Sequence, residues 1–250
     1  MKKFSLYPAP FVAILCATLL FSCSSDDNGS PQPEPQPEPK KGTFTDARDD
    51  KPYKTIKIGT QTWMAENLNY NANGSKCGTD ESEPDYNDAT LTDENTSFCD
   101  TYGRLYDWAT ATAGVCPDGW HIPSKAEWIT LMKFVNPSSN CPLVIGNGVL
   151  GGCEKVGGKL KAVSGWNDGG NGTDAYGWTA LPGGYGFPGS SISSNPDGYF
   201  YGVGEDGQWW SGSEFDADGA YFWIILHDSD GFGWNPGDKT DLHSVRCLHN

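Results

Sequence analysis

Two stretches of the chain carry side chains able to do chemistry. Asn171, Thr173 and Asp174 supply, in one short glycine-rich run, oxygen ligands of the hard kind that calcium prefers. Asn, Asp and Gly also dominate any tight loop, so a structured turn is the competing reading. Further on, Tyr185, Phe187, Tyr199, Tyr201, Trp209, Trp210, Trp223 and Trp234 sit among glycines and acids, Asp228 and Asp230 included. Planar rings beside hydrogen-bonding carboxylates are what flat sugar faces require. Tyr185, Trp209, Trp234, Asp228 and Asp230 are therefore the expected recognition residues. Trp210, Tyr221 and Trp223 are expected instead to fill a core poor in Leu and Ile. Alternation in Trp209-Trp210 sends one ring inward and leaves Trp209 outward.

Signals for other chemistries are weak. The four histidines, His121, His227, His243 and His249, show no metal-site spacing, and no C-x-x-C pair exists, so a zinc site is not expected. There is no G-x-S-x-G elbow, and nothing singles out a Ser, His and Asp as a triad. Gly202-Val203-Gly204-Glu205-Asp206-Gly207 matches G-x-G-x-x-G, but it carries acids where phosphates would approach and opens no helix; it reads as a turn. With 32 acidic against 17 basic residues, a formal net charge of −15, the chain repels nucleic acid phosphates, which excludes that partner class. A module that binds a glycan or another surface protein is the leading expectation. An enzyme on the same scaffold and a structural subunit of a surface assembly are the alternatives.

The chain begins with an address. Residues 1–22 read as an export signal, with Lys2 and Lys3 ahead of an apolar run, Phe11 to Phe21, too short for a stable bilayer anchor. Leu20-Phe21-Ser22-Cys23 resembles a bacterial lipobox, in which Cys23 becomes an acylated first residue and anchors the protein without a transmembrane helix. Ser24-Ser25-Asp26-Asp27 resembles the short acidic surface-export signal of Bacteroidetes lipoproteins, so an outward-facing place on the outer membrane is expected. Residues 23–41 form the lipidated cysteine and a proline-rich linker. From Pro31 to Pro39 every second φ is fixed and every second donor is missing, giving a semi-rigid polyproline II spacer of roughly 30 Å. Residues 42–250 form the exported domain.

Of the 8 cysteines, Cys16 lies in the signal and Cys23 is the lipid site, which leaves Cys77, Cys99, Cys116, Cys141, Cys153 and Cys247 in the domain. An exported, glycine-rich domain favours disulfides, and six cysteines allow about 15 connectivities. Nested local pairs inside one long one are expected. Cys77 with Cys99 would close an acidic insert holding Asp80, Glu81, Glu83, Asp85 and Asp88, expected as a solvated loop. Cys141 with Cys153 would close a glycine-rich loop, and Cys116 with Cys247 would tie the ends of the domain together.

The elements that must position these groups follow from pattern. The composition, 32 Gly, 17 Pro and 13% aromatic, favours short strands and ordered loops over helices. Tyr53 to Ile58 alternates, Gly59-Thr60 turns, and Gln61 to Met64 returns, a tight hairpin. Apolar spacing predicts a first short helix from about Leu105 to Gly114 with Leu105, Trp108, Ala109 and Thr112 on one face. Ser124 with Glu127 is a capping box opening a second helix that presents Trp128, Leu131, Met132 and Val135 to the core and stops at Asn136-Pro137. No other helix is expected. Later apolar pieces, 160–163, 178–181, 198–203, 208–213, 220–226 and 244–248, predict strands, and Ala220 to Leu226 is apolar enough to be central and buried on both faces. The sum is an α+β domain with two short helices, irregular antiparallel sheets and long loops.

Seven ordered segments carry a resemblance. Ile58-Gly59-x-Gln61-x-Trp63-Met64-Ala65-Glu66-Asn67-Leu68, Tyr102-Gly103-Arg104-Leu105-Tyr106-x-Trp108, Cys116-Pro117-x-Gly119-Trp120-His121-x-Pro123-Ser124 and Gly172-Thr173-Asp174-x-Tyr176-Gly177 are the first four. Leu181-Pro182-Gly183-Gly184, Trp210-Ser211-x-Ser213-Glu214 and Ser244-Val245-Arg246-Cys247 complete the set. Together, from about residue 53 to 248, they resemble the Fibrobacter succinogenes major paralogous domain. The resemblance implies a C-type-lectin-like fold of the kind shared with the formylglycine-generating enzymes, whose terminal strands meet. Lectins of that fold use the tripeptide spelled by Trp166-Asn167-Asp168 for calcium, although here it lies earlier than their site. The formylglycine-generating relatives use two cysteines close together late in the domain. Only Cys247 lies late here, and its expected role is the end clamp, so that activity is not expected.

Overall fold

The computed structural model describes residues 38–78, 91–138, 141, 143–145, 149–189 and 198–250. All belong to one unit spanning Pro37–Asn250, separate from Met1–Gln36. Cys23, the export signal, most of the proline linker and the acidic residues of the insert lie outside the described residues.

The fold opens with β1 (Lys40–Asp46), β2 (Lys51–Ile58) and β3 (Gln61–Met64), followed by the short pair β4 (Cys77–Gly78) and β5 (Leu91–Thr92). Next come α1 (Ser97–Tyr102), β6 (Leu105–Tyr106), α2 (Trp108–Thr112), β7 (Trp120–His121) and α3 (Lys125–Val135). A third group holds β8 (Leu143–Ile145), β9 (Val149–Cys153), α4 (Gly157–Leu160) and a 3₁₀ turn at Asn167–Gly169. The remainder is β10 (Gly183–Phe187), β11 (Tyr199–Val203), β12 (Asp206–Glu214), β13 (Gly219–Leu226), β14 (Phe232–Asp238), β15 (His243–Ser244) and β16 (Leu248–His249). This is an α+β protein, mostly sheet with a few short helices.

The predicted hairpin is β2–β3, turning on Gly59 at φ +60°, a conformation glycine adopts without a Cβ penalty. Lys40 and Lys41, assigned by composition to the linker, pair instead with Lys57 and Ile56 in β1–β2. The first sheet runs β1-β2-β3-β16-β7, so the last strand lies inside it, Leu248 pairing with both Trp63 and His121. Beside it the Cys116–Cys247 disulfide joins Cα atoms 5.9 Å apart. The expected pairs Cys77–Cys99 and Cys141–Cys153 are also formed, with Cα separations of 5.5 and 5.1 Å.

The second sheet runs β11-β10-β12-β13-β14-β9-β8, with β15 joining β12 to β6. β13 is central, as its uniform apolarity predicted, but it is not buried throughout: Ala220, Trp223, Ile224 and Ile225 are buried, whereas Tyr221, Phe222 and Leu226 are half-buried. The sheet is not wholly antiparallel: β10 meets β12, and β12 meets β15, in parallel. Strands β1, β9, β10 and β14 escape the sequence patterning because glycine and polar residues interrupt their alternation.

Helix α3 forms as its sequence dictates. Ser124 Oγ accepts from Glu127 N, Glu127 Oε2 accepts from Ser124 N at 2.8 Å, and Trp128, Leu131, Met132 and Val135 are buried. The first helix differs from expectation. Leu105 and Tyr106 are strand, held by Ser244 and His243, and α2 starts only at Trp108, where Asp107 Oδ1 accepts from Thr110 N at 2.6 Å. Its buried residue is Ala111, whereas Ala109 and Thr112 face solvent. The additional helices α1 and α4 have six and four residues, too short to leave a 3.6-residue signature. Residues 160–163, expected as strand, finish α4 and then make the single bridge Lys161↔Ala180, which also replaces the strand expected at 178–181.

β12 is covered on both sides. Alternation directs Trp209 toward Trp63, Trp128, Trp178, Trp223 and Phe232, and Trp210 toward Tyr53, Tyr106, Ala220 and Val245. The expectation that Trp209 faces outward is therefore corrected. Both rings are 0% exposed, because alternation exposes one of two neighbours only when one face of the sheet is open to water.

A polar knot joins the Trp209 core to the segments carrying Tyr102, Ser244 and Arg246. Asn67 Oδ1 accepts from Trp209 Nε1 at 2.8 Å and from Arg246 Nη2 at 2.6 Å, while its Nδ2 donates to Tyr102 O at 2.8 Å and Ser244 Oγ at 3.2 Å. The Arg246 guanidinium lies 3.8 Å over the Trp178 ring and donates to the Trp178 and Thr179 carbonyls. Fully buried and without a carboxylate in contact among the described residues, Arg246 has its pKa pushed down to about 9 by desolvation.

Candidate functional site

The β10–β11 hairpin separates its side chains by alternation. Tyr185 pairs with Tyr201, Phe187 with Tyr199 and Gly183 with Val203, so these residues share one face. Phe200, between the two tyrosines, points the other way and packs at 3% exposure with Leu91, Phe98 and Leu242. Backbone bonds between Gly186 and Leu242, 2.8 Å in each direction, fasten the hairpin to the segment leading into β15. The buried side thus anchors the ribbon and leaves an aromatic surface at the sheet's edge. On that surface Phe187 and Val203 are 39% and 40% exposed, and Tyr185, Tyr199 and Tyr201 are half-buried.

The rings touch one another. Centroids of Tyr185 and Phe187 are 5.4 Å apart at 83°, those of Phe187 and Tyr201 5.9 Å apart at 65°, and those of Tyr199 and Tyr201 6.2 Å apart at 19°. Such contacts are worth about 0.5–1.5 kcal/mol per pair and hold the surface in shape before any ligand arrives.

Carboxylates rim this surface, brought by the turn between β11 and β12. Gly202 and Gly204 sit at φ +79° and +82° in a turn that leads into strand β12 and opens no helix. A methyl group on Gly202 would come within 3.1 Å of Asp206 Oδ2 and 3.3 Å of Tyr185 Cε1, so acid and ring flank the bare backbone there. Burial raises the Asp206 pKa to about 6; a hydrogen bond from Gln208 opposes the rise, and the nearby Glu205 and Asp228 add to it. Asp241 is raised to about 6 by burial and by Asp238. Tyr185 is raised by burial and then by Asp206, Tyr201, Asp241 and Glu205.

The same turn gathers several of the residues singled out in the sequence. Asn167 N donates to Gly204 O at 2.8 Å, His227 N donates to Glu205 O at 2.7 Å, and Gly204 N donates to Pro182 O at 3.0 Å. Asp168 lies 3.8 Å from His227, and Asp228 follows His227 at the surface. The oxygens of the neighbouring run serve as braces. Asn171 Oδ1 accepts from Trp166 N at 3.0 Å, and the two Asp174 oxygens accept from Thr179 N and Oγ1, each at 2.8 Å. Among the described residues no three His, Cys, Asp or Glu side chains are grouped to hold a metal ion. Asp230 sits against Gly158, where a Cβ would come within 2.5 Å of its Oδ1, and it helps to balance the charge of buried Lys161.

Two predicted recognition residues stand elsewhere. Trp209 is in the core, as described. Trp234 belongs to β14 and not to a loop; its ring is half-buried against Tyr221 at 5.1 Å, with the Lys125 ammonium 3.8 Å from its centroid. Of the predicted residues, the structure brings only Tyr185 to the aromatic surface; Asp228 lies near Asp206, Asp230 lies against Gly158 and Lys161, and the acids beside Tyr185 are Glu205, Asp206 and Asp241, which the sequence reading did not single out. Tyr199, Tyr201 and Phe187 complete the surface, and the signal for them was Tyr199-Phe200-Tyr201 directly before a glycine turn.

No helix among the described residues is long and apolar enough to cross a membrane. No curated protein and no solved structure matches the chain. The family described as the Fibrobacter succinogenes major domain matches residues 56–249, which runs from the end of β2 through β16 and includes the polar knot and the aromatic hairpin, and the chain belongs to that family.

Proposed function

We propose that this protein is a lipid-anchored outer-membrane surface protein that binds a glycan through the aromatic face of β10–β11, on a C-type-lectin-like scaffold. The observation that carries the reading is the cluster Tyr185, Phe187, Tyr199 and Tyr201, held together on an exposed edge with Asp206 and Glu205 beside it. Aromatic faces pack on the apolar C–H face of a sugar, and carboxylates accept from its hydroxyls. Support for the scaffold comes from the terminal strands meeting in one sheet beside Cys116–Cys247. Support for the anchor comes from Cys23 directly after an apolar run and before a proline spacer.

The test uses the full chain in detergent on a glycan array, with Tyr201→Ala and Tyr185→Ala as comparisons. Each variant is expected to lower affinity by about tenfold, one lost ring contact. Loss of unfolding stability should stay within about 3 kcal/mol, since each half-buried ring gives up two or three ring contacts, and both variants remain folded. Unchanged binding in both variants, or capture only of proteins, contradicts the proposal. Radiolabelled palmitate incorporation that survives Cys23→Ser contradicts the anchor.

A further inference from the structure

We infer that the ligand of the β10–β11 face is an uncharged, linear oligosaccharide of at least two pyranose rings laid along β11. The inference rests on the glycan reading above and adds the class of glycan. Tyr199 and Tyr201 occupy successive same-face positions of one strand, and their planes differ by 19°. A strand advances about 3.3 Å per residue, so same-face rings repeat about every 6.6 Å, and the Tyr199 and Tyr201 centroids are 6.2 Å apart. Two nearly parallel rings at successive positions along one strand offer separate contacts to two consecutive flat units, whereas a lone sugar engages one of them.

The packing also excludes another ligand of aromatic sites. An aromatic cage for a quaternary ammonium needs rings set apart by the width of the cation. Here the Tyr185–Phe187, Phe187–Tyr201 and Tyr185–Tyr201 centroids are 5.4, 5.9 and 6.2 Å apart, so the rings fill one another's space and a ligand must lie on top of them. Phe187, steep to both Tyr185 and Tyr201, bounds the face on one side.

Charge selects among the glycans. Between Lys161 and Lys239 the chain contains no lysine or arginine, and this stretch holds the whole aromatic face. Glu205, Asp206 and Asp241 all lie near enough to Tyr185 to raise its pKa. A uronic acid or sulfated sugar placed on the face would meet these acids with no cation from that stretch to offset them. Neutral hydroxyls instead find acceptors.

The experiment measures, by calorimetry on the full chain in detergent at pH 7.5, neutral hexose oligosaccharides of one to six residues and oligouronides of matching length. Affinity is expected to rise by about tenfold from one residue to two or three and then level, with matched oligouronides at least about tenfold weaker. The double variant Glu205→Gln, Asp206→Asn should bring the two series within about threefold, and Tyr199→Ala should abolish the gain with length. Monosaccharides binding as well as oligomers, or oligouronides binding as well as neutral chains, would overturn the inference and leave the glycan reading intact. If no saccharide of either series binds at millimolar concentration, both fall together.

Discussion

Asn67 joins the Trp209 core to the Tyr102, Ser244 and Arg246 segments, and replacing it gives the sharpest test of how the domain is held. In Asn67→Leu the Trp209 indole N–H, the Ser244 hydroxyl and the Tyr102 carbonyl each lose a partner, and the buried Arg246 guanidinium loses its side-chain acceptor while keeping the Trp178 and Thr179 carbonyls. Leaving a buried neutral group without its partner costs about 1–3 kcal/mol. Three neutral groups at the low end, with about 1 kcal/mol for the weakened cation, give about 4 kcal/mol. Against a typical total of about 5–15 kcal/mol, the variant should still fold while oxidised. Urea unfolding followed by tryptophan fluorescence gives the difference from the shift in midpoint at constant slope. Asn67→Asp restores an acceptor for Arg246 while losing the donor to Tyr102, so it should fall between wild type and Asn67→Leu. In the double variant Asn67→Leu, Arg246→Met the guanidinium that Asn67→Leu leaves short of an acceptor is gone, so the two costs should fall short of additivity by at least about 1 kcal/mol. A loss under about 1 kcal/mol for Asn67→Leu, or additivity within about 0.5 kcal/mol in the cycle, would refute the account of the knot.

Removing the long disulfide with Cys116→Ser and Cys247→Ser, a separation of 131 residues, should cost about 5 kcal/mol if chain entropy governs, seen as a lower midpoint in the same assay. Asp206 has a folded pKa raised to about 6 against 3.8 unfolded, so the native state binds the extra proton and its destabilising effect is complete above pH 6 and absent below about 4. Asp206→Asn should accordingly be more stable than wild type by about 1–3 kcal/mol at pH 8 and equal to it at pH 3.5; equal stabilities at pH 8 would contradict the burial argument. Glycan binding should survive chelation by EDTA within about twofold, because the Asn171 and Asp174 oxygens already accept from Trp166 and Thr179. Calorimetry before and after dialysis checks this.

Sequence pattern revealed the parts of the fold in which a local rule and the tertiary structure agree. The Ser124–Glu127 capping box, the Gly59 turn and the uniform apolarity of 220–226 each act within a few residues, and each became the expected element. The misses share a cause. Leu105 and Tyr106 fit a helical period, yet strand pairing with Ser244 and His243 took them, and no local signal announces a partner so far along the chain. Trp209 was misplaced because alternation fixes only relative orientation; that β12 is covered on both faces follows from layers contributed by α3 and by α2. The aromatic face of β10–β11 was half legible. Rings and acids were visible as a supply, but which of them share a face depends on the Tyr185↔Tyr201 register. Several residues of the family-like segments, Asn67, Ser244 and Arg246 among them, turn out to build the knot, whereas Tyr185, Phe187, Tyr199 and Tyr201 fall between those segments. Membership of the family therefore speaks to architecture first.

The placement of β16 between β3 and β7 has a bearing on biogenesis. A polypeptide emerging N-terminus first must hold a vacant lane in its first sheet until Leu248 arrives to fill it. Through that interval two strand borders are unsatisfied, Cys116 waits as a thiol for its mate, and quality-control proteases meet an unfinished surface. Closure then works as a proofreading gate: a ribosome that quits early yields a body permanently ajar, fit for disposal and not for display.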